Sequence, residues 1–412
     1  MNRPLPDSAA RIDLQAPPWA LPLLLAALAT LGPFSVDTYM PSFPAIAESL
    51  RATPMQMQQT LSVYLLAFSL MMLLHGTLSD SFGRRPVILG SLLVFLFASI
   101  GCAVSFDIAT LLFFRALQGI SAGGGMIVGR AVIRDRFQGH QAQRIMSHVT
   151  MMFGIAPAIA PIIGGWLHVL FGWHSVFLFM AILALLLFVL CSRYLSESLP
   201  RAVRQPFNVA VLSATYRRVL GNRSFLLLSF AVGFNFSAFF LYIASAPAFV
   251  LKLLQLQETE FAWLFVAGIA GIMLGAFLSG RLAGRMTQVR TVRAGYALMA
   301  SAAAVNILYN FTAPLSVPWA VLPITLYTIG MSLAMPSISI VVMDLFPSTR
   351  GMAASLQGFV STFMNSVVAG LVSPFLSGSG RSLALGMAAI LAAGFVCWTL
   401  FERLGSVEPS YA

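Results

Sequence analysis

Twelve apolar stretches of about 20 residues recur between Trp19 and Phe401, parted by polar connectors, and nothing else in the chain restricts its fold so severely. A helix of that length crosses a hydrocarbon core about 30 Å thick while satisfying its own backbone groups. The approximate spans are 18–46, 57–79, 86–104, 109–132, 144–168, 175–194, 224–249, 259–283, 290–310, 318–343, 351–376 and 382–402. Composition agrees: the chain is 58% hydrophobic and 9% charged, whereas a soluble domain carries about 25% charged residues. With a mean hydropathy of +0.87 over 412 residues, no water-soluble fold could hide the apolar surface. The expected class is an all-α integral membrane protein. Its first span is too long for a cleaved leader and lacks a small-residue cleavage site, so it reads as a retained helix.

A net charge of +11 would suggest nucleic acid if the basic residues formed one patch. Instead they alternate with the spans. Of 24 basic residues, all but Arg51, Arg115, Lys252 and Arg381 fall on one side, which orients both termini into the cytoplasm by the positive-inside rule. No nucleic acid is expected as a partner; the lipid bilayer is. The cysteines Cys102, Cys191 and Cys397 sit singly in different spans, without disulfide or zinc spacing. Lys252 is the only lysine, so no G-x-x-x-x-G-K-[ST] loop exists to hold a nucleotide. The chain therefore calls for no cofactor, and an ion gradient is the expected energy source.

The longest polar stretch, 196–223, holds Pro200, Pro206 and several arginines, and reads as a cytoplasmic linker between residues 1–195 and 224–412. Tyr39, Ser42, Pro44 and Ala45 repeat as Tyr242, Ser245, Pro247 and Ala248 in the pattern Y-x-x-S-x-P-A. Gly76 and Leu78 repeat as Gly280 and Leu282 at nearly the same offset. Such an echo is what two duplicated six-helix halves would leave.

The loop after the second span reads Gly76-Thr77-Leu78-Ser79-Asp80-Ser81-Phe82-Gly83-Arg84-Arg85. Its glycines permit a tight turn, its arginines hold the loop inside, and Asp80 can accept hydrogen bonds from a neighbouring helix start. With this G-x-L-x-D-x-x-G-R-[RK] pattern the chain resembles the major facilitator superfamily, which implies two pseudo-symmetric six-helix halves and a loop that latches them, with Arg134 counted in the same latch. In the fourth span, Arg115, Gln118 and Gly119 are similar to the family's R-x-x-Q-G signature, and an intramembrane arginine needs a partner or a route to the interface. Gly119-Ile120-Ser121-Ala122-Gly123 also spells a hydrolase elbow, but that elbow requires a strand-turn-helix. No paired catalytic groups occur in the spans, so an enzyme is not expected.

The fifth span carries Pro157, Pro161, Gly164 and Gly165, similar to the antiporter signature g-x-x-x-G-P-x-x-G-G with alanine at two glycine positions. Two prolines four apart remove helical hydrogen bonds and bend the helix; Gly268, Gly271 and Gly275 of the eighth span are expected to pack against it. Asp37 is the one acidic residue well inside a span, and an intramembrane carboxylate points to function. Its D-x-Y-x-P setting, with the motifs above, narrows the resemblance to the Bcr/CflA type of drug:proton antiporter over essentially the whole chain. That resemblance implies Asp37 as proton carrier, Arg115 as the cation tuning it, and a bacterial inner-membrane location. A related pattern has a second acid two turns earlier; here Ala29 stands there.

Candidate substrate-binding residues are Tyr39, Gln118, Met151, Asn235, Phe239, Tyr242, Phe359 and Asn365, with Phe234 and Phe363 beside them. Met and flat aromatic surfaces suit varied apolar ligands, although with 33 Phe and 20 Met any single one is as readily a packing side chain. The expected activity is proton-coupled export, by a monomer, of small, fairly apolar toxic compounds. Import of a metabolite on the same fold is the alternative.

Overall fold

The computed structural model describes residues 20–405 except Ser348, so the outermost parts of both termini, and with them their expected cytoplasmic placement, lie outside the described residues. Twelve helices are long and apolar enough to cross a membrane: α1 (Ala20–Ser49), α2 (Pro54–Phe82), α3 (Arg84–Ala103), α4 (Ile108–Arg136), α5 (Gly139–Phe171), α6 (His174–Tyr194), α7 (Arg223–Ala244), α8 (Ala262–Leu282), α9 (Gln288–Thr312), α10 (Leu322–Asp344), α11 (Arg350–Leu376) and α12 (Gly380–Leu404). Their starts are chemically marked where polar connectors meet apolar spans. Thr53 closes a capping box with Gln56 at α2, and Asp107 and Asn222 accept from the third backbone N–H of α4 and α7.

Packing follows the same scheme twice. In the first six spans α2 and α3 pack on α4, α3 on α6, and α1 on α4, α5 and α6; adding six to every label reproduces the neighbours of the second six. The two sets meet along α2 with α11 and α5 with α8, which exchange under the same operation. The sequence echo also has a structural form. The helix of α1 stops at Asp37 and resumes through a 3-10 turn, Met40–Ser42, and α7 stops at Ala244 before the π-helical turn Pro247–Leu253. Pro44 and Pro247, at the repeated positions, supply no backbone N–H, and the helical ladder is interrupted within a few residues of each.

Where the sequence suggests a plain polar linker, the chain forms a further helix, Val209–Leu220. Tyr216 anchors it by donating its hydroxyl to the Leu73 carbonyl of α2 at 2.6 Å. Burial pushes that phenol up to about 12, so it remains a proton donor at neutral pH. The side of the bundle carrying this linker is termed the linker face, and the opposite side the far face.

Candidate functional site

Arg115 lies in α4 with no exposure at all; it does not snorkel to an interface. Its Nη1 donates to the Ser35 carbonyl at 3.0 Å, to Ser35 Oγ at 3.1 Å and to Gln118 Oε1 at 2.7 Å. The guanidinium is sandwiched between the rings of Tyr39 and Tyr64, 4.3 and 4.4 Å from their centroids, where the negative faces of both rings stabilise it. Gln118 is held in turn by Ser99 of α3 at 2.8 Å. Nε and Nη2 have no partner.

Asp37 is buried, at 4% exposure, where the helix of α1 stops. Among the described residues five ion pairs form, and they take up Asp80, Asp135, Glu197, Asp344 and Glu402, every described carboxylate of the linker face. Asp37 is in none of them. The expected neighbour, Arg115, is instead bound by the residues two before and two after it, Ser35 and Tyr39. Ser35 lies in the last turn of the α1 helix and Tyr39 just beyond its end at Asp37, so the two hold the guanidinium from either side of that end. The structure thus joins the two residues through one segment of α1 without pairing their charges.

Most of the proposed lining residues are engaged inside the bundle. Asn235 donates to the Tyr296 hydroxyl at 3.0 Å, Tyr242 accepts from Asn306 at 2.7 Å, and Asn365 accepts from Ser237 at 2.9 Å. Tyr39, Gln118 and Phe239 are buried too, Phe239 lying against Gly268. Met151 is half exposed, and Phe359 stacks at 5.9 Å on the exposed Phe363. These three apolar side chains are thus not sealed within the helix packing.

At the linker face, Arg84 joins Asp80 and donates from Nε to Asp135 at 3.1 Å, while its backbone N–H donates to Glu197 at 2.9 Å. Glu197 also pairs with Arg204 at 3.4 Å, and the Gln205 N–H reaches the Asp80 carbonyl at 3.2 Å. Arg85 donates to the Ser192 carbonyl and Arg136 to Ser196 Oγ. The expected latch between the halves is therefore, in this conformation, a clasp between the α2–α3 loop and the linker. Arg134 is exposed and takes no part, and Gly76 has open space around it. Sequence reasoning missed Asp135, Glu197 and Arg204. The signal for Asp135 and Glu197 was an acidic residue among arginines on a basic face.

Gly83 is required by a φ of +103°, and a Cβ there would also displace the ends of the Glu197 and Arg204 side chains. Gly83→Val is expected to cost about 1–3 kcal/mol and to release the strap. Trypsin should then cut at Arg201 or Arg204 faster than in the parent. Equal cutting rates would show that the strap does not depend on this turn.

The proline-containing helix α5 runs unbroken through Pro157 and Pro161. A Cβ at Gly164 would collide with the Thr38 carbonyl at the break in α1, and one at Gly165 with the Glu258 carbonyl before α8. The two adjacent glycines thus press one helix onto backbone from both sets of spans at the far face. Gly271 and Gly275 do not meet α5 as expected; they pack on α10, and Gly268 on α7. Spacing marks a close approach but does not say to which helix. Nearby, Gln58 donates to the Ala244 carbonyl at 2.9 Å, and Ser62 and Ser366 exchange hydrogen bonds at 2.8 and 2.9 Å, tying the sets together on that side.

Comparison with known proteins gives this geometry a family. The chain is 31% identical to an uncharacterized MFS-type transporter, YdgK, of Bacillus subtilis over 90% of its length and 92% of that protein's. It is 25% identical to multidrug resistance protein D of Escherichia coli, covering 91% of this chain and 94% of the other. The crystal structure of the peptide transporter POT in complex with sulfate superposes with a TM-score of 0.76 at 15% identity, over 95% of this chain and 96% of that one. The family model described as Major Facilitator Superfamily matches residues 25–369 and 228–410. Twelve spans packed as a repeated set of six, with the R-x-x-Q-G arginine and the clasped loop in place, are therefore those of a membrane transporter, not an enzyme, and the chain belongs to the major facilitator superfamily.

Proposed function

We propose that this protein exports small, fairly apolar toxic compounds across a bacterial inner membrane in exchange for protons, with Asp37 as the carrier. In this reading each six-helix half moves as a body, the linker face is cytoplasmic, both termini lie inside, and a single chain suffices. The observation that carries it is Asp37 itself: a buried carboxylate at a helix break, outside every ion pair of the described residues. Burying an uncompensated charge is costly, and a proton removes that cost. Loading and unloading the proton then gives the two transport states different energies, as coupling requires. Likeness to proteins named for multidrug resistance supports the drug side of the exchange. Far-face closure by Gly164 and Gly165 supports a bundle that receives compounds from the linker face, and Met151, Phe359 and Phe363 within the spans offer adaptable apolar surface.

Inside-out vesicles of an efflux-deficient bacterium test this directly. Acidifying their lumen should drive uptake of a lipophilic dye, and a protonophore should abolish it. Uptake confined to right-side-out vesicles would instead make the protein an importer, and indifference to the protonophore would remove the proton.

A further inference from the structure

Between α9 and α12 an elongated cavity of about 640 Å³ opens on the outside of the bundle, within the roughly 300–1,000 Å³ of small-molecule sites. Neither helix takes part in the main contacts between the halves, so membrane lipid is what surrounds this opening. Its walls are rows of small residues at helical spacing, Ala297, Ala300 and Ala304 on one side and Ala388 and Ala392 on the other. From Arg293 to Ile307 the groove follows α9 for about 21 Å at 1.5 Å per residue, comparable with the roughly 15 Å hydrocarbon depth of one leaflet.

The groove is apolar along its length and polar at one end. There, at the linker face, Arg293 Nε and Glu402 Oε1 lie 3.1 Å apart, with the arginine side chain 65% exposed. One turn deeper Trp398 lines the wall with its ring, its indole N–H closed off from the groove.

We propose that this groove holds one membrane phospholipid with a zwitterionic, primary-amine headgroup, its chain along the alanine rows, its phosphate on Arg293 and its ammonium on Glu402. Charge complementarity selects this occupant. A purely anionic head would set its phosphate against Glu402, and a quaternary ammonium has no N–H to donate to that carboxylate. A helix of a second copy would cover the alanines but bring no paired charges to the headgroup level. The site shares no residue with the Asp37 region and holds whichever way the protein transports.

Native mass spectrometry of the full chain in detergent tests it, with equal amounts of phosphatidylethanolamine, phosphatidylcholine and phosphatidylglycerol of identical chains. One phosphatidylethanolamine should be retained per chain, about tenfold over the other two, as expected for one charge-assisted contact pair. Ala300→Phe and, from the opposite wall, Ala392→Phe should fill the groove and remove the lipid. Arg293→Gln should keep a lipid but lose the headgroup preference. Equal retention of all three lipids by the parent, retention unchanged in both filling variants, or a dimer in place of the lipid-bound monomer would each overturn the assignment.

Discussion

Asp37→Asn protein is expected to insert and fold like the parent yet fail to accumulate substrate against a gradient. Asparagine matches the size and hydrogen-bonding shape of the protonated carboxyl but has no proton to release. Each inward proton contributes about 2.3 kcal/mol per 100 mV of membrane potential and about 1.4 kcal/mol per unit of pH difference. At one proton per neutral substrate, 100 mV sustains about a fifty-fold gradient. Without the carrier the ratio should fall to near unity, while downhill movement of substrate persists. The measurement is substrate-dependent proton flux in proteoliposomes: flux at the parental rate in Asp37→Asn would place the carrier elsewhere.

Gly164→Ala, a single added methyl group, is expected to do nearly as much damage by a different route. The new Cβ meets the carbonyl of Thr38, which is backbone at the helix break and cannot rotate away as a side chain would. Overpacking of this kind costs about 1–3 kcal/mol. The strain is felt only while α5 sits on α1, so it shifts the population away from far-face closure by about five- to 150-fold. Gly154→Ala on the same helix has open space around it and should be silent. A cysteine placed at Ser62, which faces Ser366 across the halves, reports the difference. Its labelling by a membrane-impermeant thiol reagent should rise steeply with Gly164→Ala and stay at the parental level with Gly154→Ala. Equal labelling would mean that this contact does not govern closure.

The site was legible in part. The intramembrane Asp37 and Arg115 stand out because hydrocarbon tolerates few ionisable groups, so each one present is conspicuous. That they do not pair in this conformation could not be read, because proximity along the chain says nothing about which way a helix is turned where it ends. Ser35 and Tyr39 proved to be the arginine's contacts on α1, and Tyr64, from a different helix, its second aromatic cover. Asn235 and Asn365 of the second half looked like free polar groups for a ligand; in the fold both bond to partners on other helices.

The sequence by itself determined the twelve spans, several to within two residues of the observed helices, because a backbone in lipid must satisfy its own hydrogen bonds and the required length follows from bilayer thickness. It also determined the repeat of Tyr39–Ala45 as Tyr242–Ala248 and the basic face on which the linker lies. Tertiary structure decided what depends on which helix lies beside which. It set the glycines of α8 against α10 and α7 rather than α5, reduced the expected loop Gly76–Arg85 to a corner at Gly83 whose flanking Asp80 and Arg84 clasp the linker, and folded an unanticipated helix, Val209–Leu220, onto α2. Those outcomes rest on contacts between residues tens to more than a hundred positions apart, and no local pattern of hydrophobicity or charge encodes such partners.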